Sequence, residues 1–194
     1  MNFIFKHGPP RFARVSLLAG LMFLALAGVV QSALAQESPP SEYQVKAAFL
    51  FNFGKFVEWP TNAFANAESP LVIGVFGGDP FHGDLERLVA GQKIAGHPVV
   101  VRQTSALPDL KGCHILFIPA AAKEREREAL QAAGGACVLT VGEFYGFCEA
   151  GGMVNFVIED RQVHFDINND AVKAAGLKIS SKLLTLARRL RNGS

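Results

Sequence analysis

Apolar and polar positions change rhythm several times along this chain, and each change marks an element. Between Ser41 and Pro60, apolar residues recur at Val45, Ala48, Phe49, Phe53 and Phe56, a 3.6-residue spacing that predicts a helix starting at Ser41 or Glu42. Pro60 ends it, because a proline disfavours helical geometry in the residue before it. Leu50, Phe51, Val57 and Trp59 fall off that stripe. The helix is therefore apolar over most of its circumference, and such a helix is usually covered on more than one side. Phe49, Phe53 and Phe56 are expected in the core. Leu50, Val57 and Trp59 would cover a second surface, offered by the rest of the domain, a dimer mate or a partner.

The rhythm then shortens. "LVIGVFG" (71–77) is a brief apolar run that closes in "GGDP", a strand followed by a turn. "FHGDLERLVAG" reads as a helix with Leu85, Leu88 and Val89 inward, ended by Gly91. "KIAGHPVVVRQ" supplies a turn and a second strand around 98–102. "CHILFIP" (113–119) and "ACVLTVG" (136–142) are further strands, flanking the polar helix of "AAKEREREALQAAGG". Continuous apolarity in short strands suits a parallel sheet buried on both faces. In "GGMVNFVIEDRQVHFDIN", Val154, Phe156 and Ile158, then Val163, Phe165 and Ile167, alternate with other residues around "EDR", which predicts a hairpin. "SSKLLTLARRL" predicts a last helix capped by Ser180 or Ser181. Leu183, Leu186, Ala187 and Leu190 would form its inner face, and Lys182, Arg188, Arg189 and Arg191 its basic face. The expected fold is α/β: a mostly parallel sheet covered by helices on both faces, with a C-terminal β-hairpin and terminal helix.

The N-terminal 35 residues belong to a different problem. Lys6, Arg11 and Arg14 precede a 16-residue apolar run, and "SALAQ" ends it with Ala33 and Ala35 in A-x-A register. That is the form of a secretory signal cleaved after Ala35. The run is short for a bilayer span of ~20 residues. Residues 36–42 read as a disordered leader and 43–192 as one α/β domain, exported to the periplasm. Loss of the signal moves the formal net charge from +2 to −1. The precursor's basicity therefore gives no argument for nucleic-acid binding.

Chemical motifs are sparse. The sequence contains no G-x-S-x-G, H-E-x-x-H, P-loop or paired-cysteine metal signature. His82, His97, His114 and His164 are scattered singly, so neither a metal nor a cofactor is expected. Cys113 and His114 are adjacent, and on a strand adjacent side chains point to opposite faces, which argues against a nucleophile–base dyad. No catalytic residue is assigned; an exported enzyme would have to draw on groups such as His114 or Asp166. Gly77, Gly78 and Asp79 stand at a strand's carboxyl end, where open α/β sheets bind ligands. They are either a small-molecule pocket or a tight turn with Asp79 capping the next helix. Cys113, Cys137 and Cys148 are the redox candidates. Cys113 and Cys137 hold similar positions in two strands and could bridge if those strands are neighbours in register. Three buried, inert thiols are the alternative.

"VKAAFLFNFGKFVEWP", "CHILFIP", "GGMVNFVIEDRQVHFDIN" and "GLKISSKLLTLARRL", in this order behind a signal, resemble the YfiR-like family of periplasmic regulatory proteins, from about Tyr43 to Leu190. The resemblance implies a protein that acts by binding. It would restrain an inner-membrane signalling protein, a diguanylate cyclase or a histidine kinase, through that protein's periplasmic part. It also implies cyclic di-GMP output and biofilm control, relief by an outer-membrane lipoprotein, and a possible homodimer. Cys113 and Cys148 match family cysteines. The strand over 71–76 lacks the cysteine that relatives carry there, which departs from the family's disulfide pattern.

Overall fold

Ser41 starts the first helix with a capping box. Its hydroxyl accepts the Gln44 N–H at 3.2 Å, and the Gln44 side chain accepts the Ser41 N–H at 2.9 Å. The computed structural model describes residues 39–192, so the expected signal over 1–35 and residues 36–38 of the expected leader lie outside the described residues. Helix α1 (Glu42–Phe56) ends in the two-residue strand β1 (Val57–Glu58). The chain continues through β2 (Leu71–Phe76), α2 (Asp84–Val89), β3 (Lys93–Ile94), β4 (His97–Thr104) and β5 (Ile115–Ile118). After these come α3 (Glu126–Ala133), β6 (Leu139–Gly142), β7 (Val154–Glu159), β8 (Gln162–Asn168) and α4 (Asn169–Ala174). β9 (Lys178–Ile179), α5 (Ser181–Leu186) and β10 (Arg189–Arg191) complete the described chain.

Eight strands form the main sheet in the order β10-β8-β7-β6-β5-β2-β4-β3. The central pairs β4-β2, β2-β5, β5-β6 and β6-β7 are all parallel, as continuous apolar runs predict. β7 and β8 make the expected antiparallel hairpin, turning at Asp160 and Arg161, whose φ values are 49° and 63°. Positive φ at both turn residues matches the strands' own twist, which is why two-residue hairpins favour it. β1 pairs separately with β9, Val57 opposite Ile179.

Alternate residues of the strands feed two cores. Ile73, Val75, Ile115, Phe117, Leu139 and Val141 pack on one face with α1, α2, α4 and α5. Val72, Phe76, Leu116, Ile118 and Val138 pack on the other with Leu110 and with Ala129 and Ala133 of α3. The first core is strongly aromatic: Phe53 lies 5.8 Å from Phe156 and 5.3 Å from Phe165, ring centre to ring centre. Such pairs add ~0.5–1.5 kcal/mol each beyond the area they bury. In the second, Gly142 leaves room for Phe147, whose ring would lie 2.5 Å from any added Cβ.

Three expectations need correction. The inward face of α1 is not centred on the predicted stripe: Ala47, Leu50, Phe51, Phe53 and Val57 are buried, while Phe49 and Phe56 pack at the core's margin. Gly54 lies against β3 on this face: a Cβ there would lie 2.7 Å from Ile94 Cδ1, so the isoleucine tip would have to shift. Leu88 of α2 was expected inward, yet it is 38% exposed; only Leu85 and Val89 reach the core from that six-residue helix. The last helix is capped by Ser180 as predicted but ends at Leu186, which is exposed. Arg189–Arg191 form a strand parallel to Asp166–Asn168 instead of a basic helical face. Backbone pairing to the open edge of β8 replaces the helical hydrogen bonds.

Candidate functional site

Carboxyl ends of parallel strands are where open α/β sheets usually bind ligands. Here, the polar groups at that end are engaged with one another. The two carboxylate oxygens of Asp79 accept the N–H groups of Phe81 (2.8 Å) and Gly83 (3.0 Å). These bonds close a turn at Asp79, but α2 starts at Asp84 with Gly83 as its N-cap and no side-chain cap bond, so Asp79 does not cap the helix as expected. Gly77, at φ 88°, donates its N–H to Thr104 O at 2.9 Å, and a Cβ there would be 3.5 Å from Ala122 Cβ. Gly78 has open space around it.

Beside this turn lies a buried ionic hub. Lys46 projects from α1 into an environment where its side chain is only 4% exposed. It pairs with Glu143 at 2.6 Å, just beyond β6, and with Glu42 one helical turn back. Glu143, 3% exposed, also accepts the Tyr43 hydroxyl (3.1 Å) and the Ala120 N–H (2.8 Å). The Lys46 ammonium sits 4.8 Å from the Tyr43 ring centre, within cation–π range. Burial, then the Glu143 charge, pushes the Tyr43 hydroxyl up to about 12. Sequence reasoning missed this hub. The only signal in the sequence is a lysine interrupting an apolar run, four residues after Glu42, a spacing shared with ordinary surface pairs.

Next to the hub, Glu143, Tyr145, Cys148, Ile158, Asp166 and Arg188 border a cleft of about 390 Å³. Arg188 grips Asp166 with two hydrogen bonds, at 2.9 and 2.7 Å, and approaches Glu159 at 3.7 Å. At the cleft's lip, Tyr145 is 97% exposed and Ile158 48%.

The amino end differs in kind. Phe64 is stacked between two imidazoles, 3.8 Å from His97 and 4.3 Å from His114, ring centre to ring centre. His114 Nδ1 accepts the Val72 N–H at 3.1 Å, so its Nε2–H donates to Ala63 O at 3.2 Å. Those two bonds require the neutral ring, and burial lowers the His114 pKa from its ordinary value. Thus His114 serves as a strut for the 61–69 segment and has no thiol partner. Cys113 packs in the core on the other face of the sheet.

Leu50 and Val57 are buried in the first core, so most of the apolar surface of α1 is covered by its own domain. Trp59 is half-buried, with its indole N–H donating to Cys137 O at 3.1 Å. All three cysteines are free thiols. Cys113 and Cys137 do precede neighbouring strands β5 and β6, but Cys113 packs in one core and Cys137 against the other. Burial raises the Cys113 thiol's pKa and pushes that of Cys148 up to about 12. Among the described residues, no group of three or more acidic, histidine or cysteine side chains is arranged to hold a metal, and no helix is long and apolar enough to cross a membrane.

Fold and geometry together define a doubly wound α/β domain whose polar groups mostly brace its own chain. The chain belongs to the YfiR/HmsC-like family, whose sequence pattern it matches over residues 43–188. Members of this family are periplasmic regulators rather than catalysts, and they work through a protein partner. No curated protein gives a significant match. Among solved structures, the chain resembles a conserved domain protein from Vibrio cholerae O1 biovar eltor, with a TM-score of 0.51 and 13% identity. That alignment covers 79% of this chain and 62% of the other, so this chain spans less than two thirds of that protein. A looser likeness, with a TM-score of 0.47 and 10% identity, is to an ABC domain in complex with L-Trp from Streptococcus pneumonia, covering 77% of this chain and 60% of that one.

Proposed function

We propose that this protein binds and restrains the periplasmic part of an inner-membrane signalling protein, a diguanylate cyclase before a histidine kinase. It would thereby hold down cyclic di-GMP output and biofilm formation. Family membership over residues 43–188 carries the proposal. Support comes from the lip of the carboxyl-end cleft, where a fully exposed Tyr145 stands beside Ile158 and the arginines 188 and 189. Exposed aromatic and arginine side chains are the residue types that dominate protein-binding energy. Relief by an outer-membrane lipoprotein and formation of a homodimer belong to the same reading. So do cleavage of the leader after Ala35 and a single domain over 43–192.

The test is in-cell crosslinking and affinity capture of the exported protein, with and without reductant, followed by mass spectrometry. An inner-membrane protein carrying a cyclase or kinase domain is the expected catch. Tyr145→Ala combined with Arg189→Glu should weaken capture at least tenfold while leaving the thermal unfolding temperature within a few degrees. Recovery of no such membrane protein overturns the reading. A catch that depends on reductant would bring Cys113, Cys137 or Cys148 into the mechanism.

A further inference from the structure

The amino end of the sheet contains a cavity of about 850 Å³ that the regulator reading does not use. It opens between the end of α1, the 59–67 segment and the β3–β4 hairpin. Its size is in the range of small-molecule pockets, ~300–1,000 Å³. Val57, Leu71 and Ile94, all buried, supply an apolar floor, and Trp59 and Phe64 form aromatic walls.

Two features make this a built site. The walls are held: Phe64 is clamped between His97 and His114, and Trp59 is tied to Cys137 O through its indole N–H. His97 is itself tied, with Nδ1 at 2.7 Å from Ser69 O, an acceptor only, so Nδ1 bears the proton. The rim is also charged unequally. Lys55, Lys93 and the single carboxylate residue Glu58, all exposed, line the rim, and the Lys55 ammonium rests 4.2 Å from the Phe51 ring centre. Phe64, covered on both faces by the imidazoles, shows the cavity its edge, and the Trp59 N–H is already engaged, so these two walls are apolar, while the rim carries an excess of positive charge.

We propose that this cavity binds a small amphipathic carboxylate, a free medium-chain fatty acid in kind, with its hydrocarbon body on the Val57–Leu71–Ile94 floor and its anionic head between Lys55 and Lys93. Burial of the hydrocarbon body on this floor supplies the affinity. The two ammonium groups select the sign of the head. The inference is independent of which membrane protein is the partner, because it concerns the opposite end of the sheet from the Tyr145 cleft.

Trp59 is the only tryptophan in the chain and it lines the cavity, so its fluorescence reports occupancy directly. The exported protein is titrated with decanoate, below its micelle-forming concentration, and in parallel with decyltrimethylammonium. Decanoate should change Trp59 emission saturably, and the cation of equal chain length should not. Lys55→Glu with Lys93→Glu, both surface positions, should weaken decanoate binding at least tenfold. Three outcomes overturn the proposal: no saturable response to decanoate, an equal response to the cation, or unchanged affinity in the double variant. Ile94→Ala, which enlarges the floor, gives a second check by calorimetry: a changed decanoate affinity supports the site, and an unchanged one counts against it.

Discussion

At the carboxyl end of the sheet, Glu143 receives Lys46, Tyr43 and the Ala120 N–H, while Asp79 receives two backbone N–H groups. At the amino end, Trp59, Phe64 and Ile94 border an 850 Å³ cavity whose charged residues stand only at the rim. The usual place for a ligand in a doubly wound sheet is the first of these ends. Here that end brings opposite charges into close contact inside the protein beside a cleft of about 390 Å³, and the roomier, apolar cavity is at the other. A topological rule indicates where strand ends leave backbone groups exposed. Whether a site remains there depends on which side chains later loops bring to it.

The sharpest way to break this comparison is to remove one side of the ionic hub. Lys46→Ala would leave Glu143 buried without its counter-charge, and such losses cost about 3–5 kcal/mol. Urea unfolding followed by circular dichroism should show the midpoint falling accordingly. Lys46→Met with Glu143→Gln should recover most of that loss, because neither partner is then left charged and alone. If the single and double variants are equally destabilised, the hub contributes packing rather than charge pairing.

The amino end should respond to pH. His114 is held neutral, with a pKa below its ordinary value of 6.5, so the unfolded chain takes up a proton more readily than the folded one. The stability it contributes is fully present above pH 6.5 and is lost as pH falls from there through the folded value. Unfolding midpoints measured between pH 8 and pH 5 should decline on the acid side. His114→Gln should be less stable at neutral pH and flatter across that interval. An equal acid decline in the variant would assign the effect to other groups.

The smallest effect concerns the thiols. Cys113 and Cys148 are buried with raised pKa values, whereas Cys137 is partly exposed. A disulfide reagent at pH 8 should label Cys137 first in the native protein and reach the other two only after unfolding. Rapid native labelling of Cys148 would contradict its burial.

Much of the fold was legible because it rests on local periodicity. The short apolar runs of β2, β5 and β6, the "EDR" hairpin and the capping serines 41 and 180 each act within a few residues, where spacing decides which face is buried. The last helix was overextended for the same reason: Leu186 and Leu190 keep helical spacing, but the edge of β8, some 20 residues earlier, captured Arg189–Arg191 as a strand. Family membership was likewise legible, since ordered blocks of pattern suffice for it.

The placement of chemistry was not local. Lys46 and Glu143 are 97 positions apart, and no spacing rule links them. Phe64 lies between histidines 33 and 50 residues further along, which sequence alone presents as unrelated single residues. Periodicity therefore determined the strands β2 and β4 to β8, the hairpin and most helices, and also that α1 would be covered on several sides. Tertiary structure alone decided what covers it, how the carboxyl end fills with paired charges and why the amino end keeps a cavity. Those outcomes depend on which distant side chains meet, and a buried charge or aromatic ring finds its compensation only there.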